Sequence, residues 1–184
     1  MTPLEVDTPH GRALAHLRAA AGPSAALVLG HGANGGVGSR DLVAVTSVAL
    51  SQEFSVALVE QPYRVEGRRS PAPARQLDAA WIAVVDHLVT GLFRGLPLVV
   101  GGRSSGARVA CRTAEATGAI GVLCLAFPLQ PPRRASATAP PASRLPELDQ
   151  VPVRTLVIQG SRDPFGIPPA SPRREVVRWR VTTA

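Results

Sequence analysis

A short apolar strand, Leu98-Val-Val-Gly101, runs into Gly102-x-Ser104-x-Gly106 and then directly into a helical pattern. That junction limits the possible folds more than any other stretch of the chain. A serine on a tight strand-to-helix turn projects its hydroxyl clear of the sheet, beside the first backbone N–H groups of the helix, which can receive an oxyanion. This is the layout of a nucleophile elbow. Gly102 and Gly106 flank the turn where a Cβ would strike the neighbouring strand or helix, and the serine itself must take strained backbone geometry. Small residues also fill such turns where no chemistry occurs, so the position of the motif within the chain carries as much weight as the motif.

Apolar strand patterns recur at Ala25–Leu29, Ser55–Glu60, Leu98–Gly101, Gly121–Phe127, Thr155–Gly160 and Val176–Val181. Helical patterns lie between several of them, at Asp41–Glu53, Ala74–Phe93 and Gly106–Thr117, with a brief one at Leu145–Asp149. Continuous apolar strands alternating with helices predict an α/β fold, a mostly parallel sheet with helices on both faces. At 184 residues and 45% hydrophobic content, the chain is expected to form a single domain spanning residues 1–184. The loops Gln61–Pro73 and Pro128–Pro146 follow strands, where such sheets bind ligands.

A hydrolytic serine needs a base to take its proton and a carboxylate to orient that base, and after an elbow of this kind the chain order is serine, acid, histidine. Asp163, in Gln159-Gly-Ser-Arg-Asp163-Pro-Phe-Gly166, lies two predicted strands after Ser104 and is the candidate acid. The competing reading is an Asp that only hydrogen-bonds its own turn. Upstream, Leu29-Gly30-His31-Gly32-Ala33-Asn34-Gly35 closes an early strand, so Ala33 and Ser105 are the expected oxyanion N–H donors. The histidines are His10, His16, His31 and His87, all before Ser104, so the expected catalytic base is missing. His31 is the one that topology brings near the serine, either as a substitute base or as a brace for its loop.

With these motifs in place, the chain resembles the α/β-hydrolase superfamily, most closely the dienelactone-hydrolase-like branch that includes the KANL3/Tex30-type domain. The resemblance rests on Leu29-Gly-His-Gly-Ala33, Gln61-Pro-Tyr-Arg64 with Gly67-Arg-Arg69, Gly101-Gly-Arg-Ser-Ser-Gly-Ala-Arg108, Leu125-Ala-Phe-Pro128 with Pro131-Pro132, and Gln159–Gly166. It implies a three-layer hydrolase-type sheet with the six strands above as its core, Ser104 as nucleophile and Asp163 as acid. Relatives continue into a Gly-Asp-His-like turn and a final helix, so by that standard the chain is C-terminally short. The expected function is acyl hydrolysis of a small-molecule ester or thioester with weak or absent activity; the alternative is a noncatalytic interaction module that keeps the fold.

Other classes fit less well. Gly30-x-Gly32-x-x-Gly35 with Glu60 matches a dinucleotide-binding fingerprint, but the next helical pattern begins near Asp41, too late for a pyrophosphate to meet its N-terminus. The net charge of +7 comes entirely from Arg, scattered in pairs such as Arg68-Arg69 and Arg133-Arg134 with little aromatic interleaving, so no nucleic-acid partner is expected. No run approaches a membrane span, and the N-terminus lacks a cationic region followed by an apolar one, so the expectation is a cytoplasmic protein. Cys111 and Cys124 sit in apolar patterns as buried thiols. No cofactor or metal is expected. An uncovered strand carrying Val176, Val177, Trp179 and Val181 predicts self-association.

Overall fold

The computed structural model describes residues 3–131 and 141–179. Its elements are β1 (Leu4–Thr8), β2 (Gly11–Arg18), β3 (Ala25–Gly30), α1 (Arg40–Ser51), β4 (Phe54–Glu60), α2 (Pro62–Val65), α3 (Ala74–Thr90), β5 (Leu98–Arg103), α4 (Ser105–Thr113), β6 (Gly121–Leu125), α5 (Leu145–Asp149), β7 (Arg154–Gly160) and β8 (Arg174–Trp179). They build one eight-stranded sheet in the order β1-β2-β4-β3-β5-β6-β7-β8. From β4 to β8 every neighbouring pair is parallel. β1 and β2 join antiparallel at the other end.

The six strands expected from the sequence are present, and the N-terminal hairpin adds two that the sequence pattern did not reveal. Its inward positions are small: Val6, Ala13 and Ala15 are buried, while Arg12 and Glu5 form an exposed ion pair. The strand expected to reach Phe127 stops at Leu125, because Ala126 takes a φ of 53°. α4 and α3 end earlier than their periodicity predicts, at Thr113 and Thr90. Val181 and the Arg133-Arg134 pair lie outside the described residues.

Two apolar layers enclose the sheet. On one face, Leu77, Trp81, Val84 and Leu88 of α3 and Val109 and Ala110 of α4 pack against Val28, Val59, Val100 and Val122. On the other, Leu42 and Ala49 of α1 cover Leu27, Leu29, Val56 and Leu58. That second cover does not extend over β6–β8: Val48, Val99, Leu123, Leu156, Ile158 and Trp179 line a trough of about 1030 Å³. Among its residues, Trp179 is 63% exposed. Charged pairs fasten the first face at its rim. Arg112 meets Asp78 of α3 through Nε at 2.8 Å, and Arg108 meets Glu147 of α5 through Nε at 2.8 Å. Each is a fork of parallel donors onto a carboxylate, which fixes helix orientation as well as charge.

Candidate active site

Ser104 joins β5 to α4 with φ 51° and ψ −104°, a left-handed conformation that costs a non-glycine residue energy and needs support from its surroundings. The support is steric. A Cβ on Gly106 would run into the Gly30 carbonyl and approach the His31 carbonyl oxygen to 2.9 Å. A Cβ on Gly102, at φ +156°, would strike the Gly30 carbonyl and lie 2.9 Å from the Gly106 carbonyl carbon. Gly30 is itself pinched, since its own Cβ would sit 3.2 Å from both Gly106 Cα and the Trp81 ring. The start of α4 is thus pressed onto the end of β3 with no side chain between them. The Ser104 N–H donates to the Leu125 carbonyl at 2.9 Å, which anchors the turn to β6.

Beyond β3, the His31 loop is clamped from three sides. His31 Nδ1 lies 2.8 Å from the Gly32 carbonyl oxygen, and the Gln61 N–H donates to Nε2 at 3.2 Å. A carbonyl needs a donor and an N–H needs an acceptor, so these partners fix the neutral Nδ1–H tautomer. Burial holds the His31 pKa below the ordinary imidazole range, outweighing the Gly32 hydrogen bond and the Glu60 charge. The Gly32 carbonyl also receives the Gly35 N–H at 3.1 Å, and the Tyr63 hydroxyl donates to the Ala33 carbonyl at 2.9 Å. In a trans peptide the N–H points opposite to the C=O. Holding the Gly32 carbonyl therefore aims the Ala33 N–H the other way. Among the described residues, neither the Ala33 nor the Ser105 N–H donates a backbone hydrogen bond outside regular elements.

Arg103, just before Ser104, lies across the same loop. Its Nη1 would be 3.2 Å from a Cβ on Gly32, and its Nε pairs with Asp41 Oδ2 at 2.6 Å. The roles of Gln61, Tyr63 and Arg103 in this clamp are not visible in the sequence pattern. The available signal was the chain's single Tyr, next to Pro62 and directly after a strand.

Asp163 stands in the turn that follows β7, two strands over from the serine in the same sheet. Its Oδ1 accepts the Phe165 N–H at 2.8 Å, and the Gly166 N–H closes onto its carbonyl at 3.1 Å. Gln159, fully buried, fastens this turn to the end of β6 through Nε2, which donates to the carbonyls of Phe127 at 3.1 Å and Gly166 at 3.0 Å. No described side chain bonds the Asp163 carboxylate.

Among the described residues the other histidines make no hydrogen bond to Ser104, Asp163 or the His31 loop. His16 pairs with Glu60 at 3.3 Å, His10 sits in the exposed β1–β2 turn, and His87 is exposed on α3. The Glu60 carboxylate is thus occupied, and α1 begins only at Arg40, so a dinucleotide-type arrangement is not assembled after Gly35. Among the described residues, no group of three His, Cys, Asp or Glu side chains could hold a metal, and no helix is long and apolar enough to cross a membrane.

Comparison with known proteins agrees with this architecture. No curated protein sequence is significantly similar to the chain. Among the solved structures that share its fold over nearly its whole length are the following. A lidless α/β serine hydrolase from Xanthomonas campestris has a TM-score of 0.75 at 18% identity, covering 98% of this chain and 84% of its own. An α/β serine hydrolase homologue from Coxiella burnetii has 0.74 at 11% identity, covering 98% and 88%. A dienelactone hydrolase from Anabaena variabilis has 0.72 at 14% identity, covering 100% and 88%. The family model described as Alpha/beta hydrolase domain matches residues 23–177, which take in β3 to β7, the first part of β8, the Ser104 turn and the Asp163 loop, and the chain belongs to that family.

Proposed function

We propose that the protein is a serine hydrolase acting on small-molecule esters or thioesters, with Ser104 as its nucleophile. The observation that carries this reading is the strained φ of 51° at Ser104, held by Gly102, Gly106 and Gly30, since such strain persists where the surroundings enforce it. Ser104 Oγ adds to the acyl carbon as its hydroxyl proton passes to solvent water, and the developing oxyanion lies against the N–H groups of Ala33 and Ser105. Collapse expels the alkoxide or thiolate, which takes up a proton from solvent, and water then hydrolyses the acyl-Ser104 to the free acid and restores the serine hydroxyl. Asp163 takes the place of the orienting acid, two strands from Ser104. The Gln61-Pro-Tyr63 clamp on the His31 loop supports placement in the dienelactone-hydrolase-like branch, near KANL3/Tex30-type domains.

In this reading His31 is a brace, because both of its ring nitrogens are committed to backbone. Its task is to orient the peptide that presents the Ala33 N–H. Within these 184 residues no imidazole is positioned on Ser104, so turnover by this chain is slow. Losing a triad base removes several orders of magnitude in rate while leaving oxyanion-hole catalysis. The same observation favours a second reading, a noncatalytic module that retains the fold.

Fluorophosphonate labelling separates the two. The expected result is an adduct at Ser104, located by mass spectrometry, absent in Ser104→Ala and reduced in His31→Ala. Absence of labelling in wild-type protein shown to be folded would sink the hydrolase reading and leave the noncatalytic one.

A further inference from the structure

Cys111 and Cys124 play no part in that reading, yet their sulfurs are 3.5 Å apart. Cys111 lies on α4, seven residues after Ser104, and is 4% exposed; Cys124 lies on β6 and is fully buried. Cys124 is in register with Gly102 of β5, and the next residue, Leu125, accepts the Ser104 N–H. The two thiols thus face each other across the packing of α4 on β6, beneath the turn that carries Ser104. We propose that Cys111 and Cys124 are an oxidation site, closing to an intramolecular disulfide with a small two-electron oxidant such as hydrogen peroxide.

The geometry requires little movement. The sulfurs are in van der Waals contact, and a disulfide brings them to about 2.05 Å. Side-chain rotation together with a small approach of α4 toward β6 supplies the difference. α4 is already seated against Gly30 at Gly106, so the approach is made at its later turns, where Cys111 lies. Peroxide reaches Cys111 first because it keeps some solvent contact. The Cys111 thiolate attacks one peroxide oxygen to give a sulfenic acid and hydroxide, which takes up a proton to become water. The Cys124 sulfur then attacks the Cys111 sulfur, its proton leaving with the hydroxyl as a second water. In sum, two thiols and one hydrogen peroxide give one disulfide and two waters, the sulfurs being oxidised by two electrons. The hydrogen bond to Cys111 and burial both raise the Cys124 pKa, which keeps it a thiol until its partner is oxidised. The product ties α4 to the strand that anchors Ser104.

The test uses the full 184-residue chain, folded and treated with hydrogen peroxide, and reads intact mass, so it does not depend on whether Ser104 reacts with anything. The expected result is a loss of about 2 Da, the two thiol hydrogens, reversed by dithiothreitol. Tryptic mapping then joins the peptide containing Cys111 to the one containing Cys124. Cys111→Ser and Cys124→Ser each abolish the loss. Mass gains from sulfinic acid without a joined peptide, or crosslinked dimers in its place, would overturn the proposal. So would an unchanged mass in folded wild type under conditions that close the same bond in the urea-unfolded chain.

Discussion

Replacing His31 by alanine should expose how the loop after β3 is braced, because the loss depends on pH in a way set by the tautomer. At pH 8 the substitution leaves the buried Gln61 N–H without an acceptor, and it empties the space beside Tyr63, whose ring centroid is 5.8 Å from that of His31. The Gly32 carbonyl keeps its second donor, the Gly35 N–H, and contributes little to the loss. One orphaned buried N–H together with a truncated buried ring costs about 2–4 kcal/mol. The pH dependence follows from the depressed pKa. In the folded state His31 holds its neutral form below the ordinary value of 6.5, whereas the unfolded chain takes up a proton there. Between the folded and unfolded values the unfolded state binds more protons, so this histidine's contribution is complete above pH 6.5 and is lost as pH falls, at up to about 1.4 kcal/mol per pH unit. His31→Ala lacks that slope. Urea unfolding of both proteins from pH 8 to pH 5 should therefore show a gap that is widest at pH 8 and narrows below pH 6.5. His10, His16 and His87 are common to both proteins and drop out of the comparison. A gap independent of pH, or one that widens in acid, would refute the assignment of Nε2 as an acceptor.

Three further perturbations probe the turn and the open sheet face. Gly106→Ala drives a Cβ into the Gly30 backbone and should cost about 3 kcal/mol or more by denaturant titration, since neither β3 nor α4 can give way. Ser104→Gly removes the left-handed penalty and should stabilise the fold by about 1 kcal/mol while abolishing probe labelling; a destabilised Ser104→Gly protein would show that the serine side chain holds the turn. Light scattering at micromolar concentration should report self-association of wild type through Leu156, Val177 and Trp179, reduced in Trp179→Glu. A monodisperse wild-type monomer would count against that surface as a contact.

The sequence was most informative where physics leaves few options. Ala25–Gly30 is buried along its whole length, and a continuous apolar run of that size in an α/β chain has few places outside a central parallel strand. The Ser104 turn was equally legible, because a Gly-x-Ser-x-Gly after a strand prescribes both close approach and a strained serine. The β1–β2 hairpin was not, since Ala13 and Ala15 bury too little apolar surface to mark a strand and Leu14 on the opposite side breaks the apolar-polar alternation. The brace was hidden for a different reason. His31 meets the Gln61 N–H across 30 residues of chain, and Tyr63 meets Ala33 at the same separation, so no local pattern records either bond. Asp163 remains readable in two ways because its Oδ1 satisfies the turn at Phe165 while the residue stands where an orienting acid would.

The forces that shape the site and those that would run its chemistry come from different atoms. The Ser104 geometry rests on glycine contacts among Gly30, Gly102 and Gly106 and on one backbone bond to Leu125. The His31 loop rests on a neutral imidazole, a phenol and a backbone N–H. None of these contacts moves a proton from the serine hydroxyl. A preorganised site of this kind can bind a developing negative charge without any base, because its dipoles are fixed before reaction begins. Stability and labelling should accordingly respond to different substitutions. Gly106→Ala should disturb both, because it displaces the turn itself. Asp163→Asn should leave the fold nearly unchanged, because the amide oxygen can still accept the Phe165 N–H. If Asp163→Asn alters the labelling rate at Ser104 at unchanged stability, the carboxylate acts on the reaction; if stability falls and labelling follows it, Asp163 is a turn residue.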